Sequence, residues 1–453
     1  MYLGASALAL IVSILKAPLF PVNDPALFEY FGWAMLHGQR LYADLLDVKL
    51  PSIFLVNLLW QRLFGENYPL HVYAGGALNA AAIALFALLL RRWKSDAWAL
   101  GTFLFAVAFN LPFPEFDYTQ HYAVFFIVLG LYLSACGRNL WAGAALALAT
   151  TFWFPAALTA IPILLQPIAR RERLLFAGGF GGTLALYLLA MLAAFGPQLG
   201  GDFIRIWSVR ARNHPFNARD VLQILKYSAL VRTVGVLMFL LLVAARRPIG
   251  PASRFALIWT ACAFAGLLLP PNFYDHFFLP LTPALSMAIA SFSLSVKDML
   301  QRPVLAAAAL AFAALAAQRT VADATTADKK TLNEVLVGEW IRSNAGSDAV
   351  VYTDEYLPEL ELAAHARLPG RASLLPFTQE RFDWTRRPEA IVFGPDDIPP
   401  LVKQEKRIVT PNIRQSYVPI CRGLTGQLIV YTLPSSVAVF HCTTTALVFG
   451  SRT

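Results

Sequence analysis

Residues 24–51 hold the charged side chains that are the first candidates for chemistry. They follow the first apolar run and stand among aromatic residues: Asp24, Glu29, Asp44, Asp47 and Lys49. A carboxylate at the mouth of an apolar helix bundle is partly desolvated, which makes it a stronger base for taking a proton from an alcohol. A lysine at the membrane interface can pair with phosphate oxygens. The stretch therefore predicts a site in which Asp24 is the general base and Lys49 holds a phosphate.

Both residues also have simpler structural roles that the sequence leaves open. Asp24 stands before Pro25, an arrangement typical of an N-cap residue followed by proline at the first helical position. Lys49 can form a salt bridge, or extend its ammonium group to the interface. Capping and catalysis are compatible for Asp24, so the site hypothesis depends on whether Asp24 lies near Lys49.

A second polar stretch, PEFDYTQH (114–121), contributes four candidates for substrate binding: Glu115, Asp117, Gln120 and His121. The amide and the imidazole begin a predicted helix, where they can bind an acceptor or a sugar hydroxyl, or supply a metal ligand. The alternative for the two acids is a solvated turn and a helix cap. A divalent metal is therefore possible, but the sequence does not specify one.

Basic residues collect in a third polar stretch, residues 196–220: Arg205, Arg210, Arg212 and His214. Guanidinium groups on the less basic side of a membrane need an anionic partner, and a phosphate headgroup is one. Acids of the C-terminal tail and anionic phospholipids are the alternatives. Further along, His276 can bind phosphate or a sugar hydroxyl. Tyr274 can bind the same substrate or anchor the chain at the interface.

The composition places these residues in a polytopic membrane protein. The chain has 453 residues, of which 57% are hydrophobic and only 14% are charged, whereas soluble domains carry about 25% charged residues. The net charge of +9 fits lysines and arginines in cytoplasmic loops. Because these basic residues are dispersed among apolar segments, they form no continuous patch, and a nucleic-acid partner is excluded.

Apolar runs predict about 11 membrane spans over residues 1–319. With the N-terminus inside, this odd count places the tail outside, and the basic clusters fall inside as the charge bias requires. The outer face then holds the polar stretches 21–51, 112–119, 196–220 and 271–277. Interfacial helices are expected in the first of them. The run 140–168 should form a hairpin of two short helices with FWFP (152–155) at its tip, since proline disfavours helix in the preceding residue.

Residues 320–453 are predicted to form a small soluble α/β domain on the periplasmic side. Residues 331–344 have the apolar spacing of a helix. Four short runs have the composition of strands: 349–353, 389–394, 427–433 and 436–442. Whether Cys421 and Cys442 form a disulfide is left open by the sequence.

The first loop resembles the GT-C superfamily of polyprenyl-phosphate-dependent glycosyltransferases. The likeness is to the bacterial transferases of aminoarabinose and galacturonic acid that act on lipopolysaccharide, and more distantly to protein O-mannosyltransferases. In that family an acidic pair follows the first span. Asp24 matches its first acid, and Pro25 replaces the second. A glycine–tyrosine–aspartate stretch and a lysine–proline element come next, matched here by Gly38, Tyr42, Asp44, Lys49 and Pro51.

Two later segments also look like the family. YDHFFLPLTPALSMAIA (274–290) is similar to a late segment of the family, and the hairpin 140–168 stands where the family has one, without the usual lysine at its tip. The resemblance implies an outer-face active site with Asp24 as base, and a donor sugar carried on undecaprenyl or a similar polyprenyl phosphate. It also implies inversion at the anomeric carbon.

The predicted protein is thus a multi-pass enzyme of the bacterial inner membrane. The first loop offers Tyr42, Asp44 and Asp47 as substrate-binding residues, and the acceptor can be a lipid, a glycan or a protein. Two other functions remain open. A transporter or flippase of a polyprenyl-linked or anionic lipid would show charges at mid-membrane and repeated halves, which are not seen in the sequence. A non-catalytic assembly protein would act through the tail alone.

Overall fold

A computed structural model gives the structure of the chain. It describes residues 2–292, apart from 17–19, 46, 94, 96, 113–115, 198, 202, 205–207, 209–221, 223, 227, 245–248 and 271–273. In the tail it describes residues 329–346, 350–353, 358–365, 390–393, 418–422 and 429–432.

Helices make up most of the described part of the chain. The α-helices are α1 (Tyr2–Lys16), α2 (Asp24–Leu36), α3 (Pro51–Phe64), α4 (Tyr68–Arg92), α5 (Trp98–Asn110), α6 (Thr119–Ala135), α7 (Asn139–Phe152), α8 (Ala160–Leu164), α9 (Arg170–Phe195), α10 (Ala229–Ala244), α11 (Pro251–Leu267), α12 (Leu281–Ser291), α13 (Lys329–Ala345) and α14 (Pro358–Ala364). Two 3₁₀ helices cover Phe154–Thr159 and Asp275–Phe278.

Two helices among the described residues, α4 and α9, are long and apolar enough to cross a membrane. Several others are apolar but have between 10 and 17 residues. The predicted span at 303–318 lies outside the described residues, so the count of about 11 spans stays a prediction.

The helical hairpin expected at 140–168 breaks where the sequence predicts. Helix α7 ends at Phe152, and Trp153 is extended with φ −143° and ψ 102°. A 3₁₀ turn containing Pro155 and the short helix α8 follow. Pro155 lacks the N–H that would bond to the Thr151 carbonyl, and its ring crowds that carbonyl, which accounts for the end of α7. The residue directly before the proline, Phe154, lies in the 3₁₀ turn, so the expected restriction on that residue does not explain the break.

Contacts divide the chain into two units. The first comprises Met1–Leu19, Pro69–Met191 and His214–Thr325, and the second comprises Phe20–Tyr68, Leu192–Asn213 and Thr326–Thr453. In the first unit α6 packs on α7, α5 packs on α1 and α12, and α12 packs on α10 and α11. In the second unit α2 packs on α3 and α14, and α14 packs on α13.

Close backbone approach in the second unit depends on two glycines. A Cβ at Gly32 of α2 would lie 2.7 Å from the backbone carbon of Asn57 in α3. A Cβ at Gly338 of α13 would lie 2.6 Å from the carbonyl oxygen of Leu360 in α14. The helices that carry the first loop and the tail are therefore packed at distances that a larger side chain would not permit.

The tail contains a four-stranded sheet in the order β1-β2-β4-β3. Its strands are β1 (Val351–Thr353), β2 (Ala390–Phe393), β3 (Val418–Arg422) and β4 (Ile429–Thr432). Strands β1 and β2 are parallel, with Val351 opposite Ala390, and the other two pairs are antiparallel.

Three of the strands coincide with predicted ones, but β3 was not predicted. It contains Pro419, which weakens a strand signal and is tolerated here because β3 lies at the sheet edge with an irregular register. The predicted strand at 436–442, Cys442 and the expected domain boundary at residue 319 lie outside the described residues.

Candidate active site

Asp24 and Lys49 meet in the second unit, although they stand at opposite ends of the first loop. Helix α2 begins at Asp24, and Lys49 lies two residues before the start of α3 at Pro51. The Lys49 Nζ donates to Asp24 Oδ2 at 2.7 Å, and the two side chains are 19% and 23% exposed. This is a short, charge-assisted hydrogen bond in a partly desolvated position. Neither side chain is fully buried.

The capping role considered for Asp24 is wrong. Asn23 occupies the N-cap position, and Asp24 is the first residue of α2, followed by Pro25. The Asn23 side chain makes no capping hydrogen bond, and the Asp24 carboxylate accepts from Lys49. An acidic residue in the first helical turn is still favoured by the helix dipole. The ammonium group of Lys49 also lies 5.1 Å from the centre of the Phe28 ring.

Two residues of the loop hold the backbone of Lys49. The Tyr42 hydroxyl donates to the Lys49 carbonyl oxygen, and the Lys49 backbone N–H donates to Asp47 Oδ1 at 2.7 Å. Tyr42 has φ 60°, and its own N–H donates to the Leu45 carbonyl at 2.7 Å. Both Tyr42 and Asp47 are buried. Their described contacts position Lys49, and their role in substrate binding stays a prediction.

Asp44 lies apart from this pair, on the surface of the loop. Its Oδ2 accepts from the Arg40 backbone N–H at 2.9 Å and from Arg40 Nε at 3.3 Å, and its side chain is 41% exposed. An exposed pair of this kind contributes little to stability. The structure thus brings together Asp24, Lys49, Tyr42 and Asp47, while the predicted binding role of Asp44 has no described contact in its favour.

A second polar cluster, which we call the His276 cluster, lies in the first unit. It surrounds the 3₁₀ turn before α12 and the start of α6, and its members are Asp117, Tyr118, His121, Tyr122, Tyr274, Asp275 and His276. The His276 ring lies 4.8 Å from the Tyr118 ring and stacks on Tyr274 at 5.4 Å. The His276 backbone N–H donates to Asp275 Oδ1 at 2.8 Å. The imidazole is therefore held between aromatic rings.

The start of α6 is buried, which corrects the solvated-turn alternative for Asp117. Asp117 is buried with φ 80°, and the Tyr122 hydroxyl donates to its Oδ1. Gln120 and His121 are also buried, and Gln120 Oε1 accepts from the Thr119 hydroxyl at 2.9 Å. Buried polar groups need such partners because desolvation without a hydrogen bond is costly.

Several predicted residues lie outside the part of the chain that the structure describes: Glu115, Arg205, Arg210, Arg212 and His214. Across the described ranges, no three His, Cys, Asp or Glu side chains are placed to hold a metal ion. A divalent metal therefore stays a prediction.

Two contacts near the first loop were missed by sequence reasoning. Gln61 Nε2 of α3 donates to Glu29 Oε2 of α2 at 2.8 Å, and both side chains are buried. A glutamate inside an apolar helix signals the need for such a partner. The backbone N–H of Asn23 donates to Glu359 Oε1 of α14 at 2.6 Å. No local signal predicts this second bond, because 336 residues separate its partners.

Comparison with solved structures identifies the fold. Crystal structures of ArnT from Cupriavidus metallidurans, bound to undecaprenyl phosphate and in the apo state, both match with a TM-score of 0.62. Identity is 13% and 14%, and each match covers 96% of this chain and 98% of that one. The apo oligosaccharyltransferase of Archaeoglobus fulgidus matches with a TM-score of 0.53 at 14% identity, over 87% of this chain and 69% of that one.

No protein-family model and no curated protein matches the sequence. At these identities the structural likeness establishes the fold alone. The chain shares its fold with ArnT and with the archaeal oligosaccharyltransferase, and the resemblance inferred from the first loop is confirmed at the level of the fold.

Proposed function

We propose that this protein is an integral membrane glycosyltransferase that moves a sugar from a polyprenyl-phosphate donor to a lipid, glycan or protein acceptor. The observation that carries the proposal is the Asp24–Lys49 pair, with 2.7 Å between the carboxylate and the ammonium group. A general base and a phosphate-binding cation thereby occur side by side. The ArnT structure of the same fold is bound to undecaprenyl phosphate, which supports a lipid of that class as the donor carrier.

In the proposed reaction, Asp24 takes the proton from the nucleophilic oxygen or nitrogen of the acceptor. That atom attacks the anomeric carbon of the donor sugar while the bond from this carbon to the phosphate oxygen breaks. The bond electrons leave with the polyprenyl phosphate, whose developing negative charge is stabilised by Lys49. A direct displacement of this kind inverts the anomeric configuration.

Donor binding would also prepare the base. In the structure the Asp24 carboxylate is neutralised by Lys49, and a neighbouring cation weakens a carboxylate as a base. When a donor phosphate pairs with Lys49, the negative charge of Asp24 is less well neutralised. Asp24 then accepts a proton more readily. The ion pair thus couples the presence of donor to activation of the base.

Three features of the wider proposal rest on the sequence. Arg205, Arg210, Arg212 and His276 are candidates to bind phosphate, and Glu115, Gln120, His121 and His214 to bind substrate. The active site would face the periplasm of a bacterial inner membrane. Residues 1–319 would form the membrane domain and residues 320–453 a periplasmic domain that shapes access of the acceptor.

The test compares envelope lipids and glycans, by mass spectrometry, from cells with the wild-type protein and cells with Asp24→Asn. We expect one glycan or lipid to lose a sugar in the variant. The exposed Glu339→Gln serves as a control that removes a carboxylate elsewhere. Unchanged envelope sugars in cells with the folded Asp24→Asn protein would contradict the proposal. Movement of a lipid across vesicles with no covalent product would instead indicate a transporter.

A further inference from the structure

Helix α14 of the tail reaches the residue that precedes the proposed base. Glu359, in the first turn of α14, accepts a hydrogen bond from the backbone N–H of Asn23 at 2.6 Å. The Asn23 carbonyl oxygen in turn accepts from the Leu27 N–H at 3.2 Å, which closes the first turn of α2. Asn23 is therefore held on both sides, and Asp24 is the next residue.

The backbone at Asn23 is one that a residue with a side chain rarely adopts. Its φ is 55° and its ψ is −132°, and the Asn23 side chain makes no capping bond that would compensate. Such conformations persist only where the surroundings fix them. Two described hydrogen bonds hold this backbone: the Asn23 N–H donates to Glu359, and the Asn23 carbonyl oxygen accepts from the Leu27 N–H.

Glu359 is itself firmly placed. It is 5% exposed, and residues 360–364 of α14 are also buried where the helix packs on α13 and α2. Gly338 of α13 permits close contact with α14. Beyond the far end of α14, the His365 ring stacks on Trp33 of α2 at 4.9 Å. Since Glu359 lies near the start of α2 and His365 near its end, α14 is fixed along α2 at two separate points.

We propose that Glu359 is a positioning residue for the transfer reaction: by holding the Asn23 peptide group it sets where Asp24 stands at the start of α2. This inference rests on the proposed function. The tail would then contribute to the active site, since the Glu359 carboxylate binds the backbone of the residue directly before Asp24. Because Glu359 affects the position of Asp24 and not the donor itself, its loss should lower kcat more than it changes donor affinity.

The experiment measures kcat and the donor KM of purified full-length variants, with undecaprenyl-phosphate-linked sugar as donor. Glu359→Ala removes the acceptor of the Asn23 bond, and we expect kcat to fall about tenfold to hundredfold while the donor KM stays near wild type. Glu359→Gln keeps a carbonyl oxygen at the same reach and should restore most of kcat. Glu339→Gln, on the exposed face of α13, is the charge control.

The outcomes separate this inference from the function on which it depends. Wild-type kcat in folded Glu359→Ala, together with inactive Asp24→Asn, would overturn the role of Glu359 alone. An active Asp24→Asn would remove the proposed function itself. If Glu359→Ala does not fold, Glu359→Asp is used in its place, because its shorter side chain keeps the charge but withdraws the acceptor from the Asn23 N–H. Reduced kcat in this variant supports the proposal, and wild-type kcat overturns it.

Discussion

The first-loop pair and the His276 cluster hold similar kinds of polar groups in different surroundings. Asp24 and Lys49 keep about a fifth of their side chains exposed. His121, Asp117 and His276 are 2%, 8% and 7% exposed. Both imidazoles lie against aromatic rings, and Asp117 accepts from the Tyr122 hydroxyl. Groups that exchange partners with a substrate need access, whereas enclosed polar groups mainly satisfy one another. We therefore expect substitutions of Asp24 and Lys49 to change activity, and loss of the bond between Tyr122 and Asp117 in the second region to change stability.

The largest effect apart from loss of Asp24 is expected at Lys49. Lys49→Ala removes the cation that faces the donor phosphate and should lower kcat/KM on the order of 10²-fold, the usual cost of one charge-stabilising group. Undecaprenyl phosphate binding to the purified variant, measured with a labelled lipid, should weaken in parallel. Lys226→Ala, at an exposed lysine, is the matched control. Equal binding and turnover in the two variants would contradict the assignment.

Helices α2 and α3, which carry the first loop, offer a second way to disturb the Asp24–Lys49 pair. Gly32→Ala places a Cβ 2.7 Å from the Asn57 backbone, so α2 and α3 must separate. Overpacking of this kind costs about 1–3 kcal/mol, and it should lower transfer activity by shifting Asp24 relative to Lys49. Gly235→Ala in α10 meets nothing within 4 Å and is the control. Thermal unfolding in detergent, run beside a transfer assay, measures both effects.

In the His276 cluster the expected effect is on stability. Tyr122→Phe removes the hydroxyl that donates to the buried Asp117 and should cost about 1–3 kcal/mol of unfolding free energy. Turnover of the folded fraction should stay near wild type. The exposed Tyr73→Phe controls for loss of a hydroxyl. A large fall in kcat without loss of stability would place Tyr122 and Asp117 in the reaction and contradict their assignment as a structural pair.

The smallest effect is a pH dependence where the tail packs on the first-loop helices. Burial lowers the pKa of His365 from 6.5 to about 4, although the nearby Glu66 carboxylate opposes this shift. The Arg342 guanidinium and His37 also lie close and lower the pKa further. Between these two values the unfolded chain binds more protons than the folded chain, so stability falls as the pH drops from 6.5 towards 4.

Hydrogen exchange of residues 358–365 measures this dependence. His365→Phe keeps a ring to stack on Trp33 but does not titrate, so protection in the variant should lose part of its dependence on pH. The same slope in the variant and the wild type would show that His365 does not account for the acid sensitivity.

Local patterns singled out Asp24 and Lys49, although the salt bridge that joins them corresponds to the simpler structural role considered for Lys49. The sequence shows directly that Asp24 precedes Pro25 and that Lys49 lies two residues before Pro51. The segment between Asp24 and Lys49 is short enough to bring its ends together. The helix at 331–344 and three of the strands also follow from apolar spacing. Each of these depends on residues close to one another in the chain.

The parts that could not be predicted depend on long-range packing. Nothing near Glu359 indicates that its carboxylate meets Asn23 in the first loop. The burial of Asp117 was also missed, because an acid in a short polar break usually faces water. Its positive φ and the bond from Tyr122 reverse that expectation, and neither is visible in the spacing.

The most direct test of the account is a single-turnover measurement on purified Asp24→Asn preloaded with undecaprenyl-phosphate-linked sugar. The variant keeps Lys49 and removes a carboxylate that competes for it, so the donor should remain bound at wild-type affinity or better. Product formation on addition of acceptor should be slower by about 10²–10⁴-fold, the usual contribution of a general base. A burst of product at the wild-type rate would contradict the central claim that Asp24 deprotonates the acceptor.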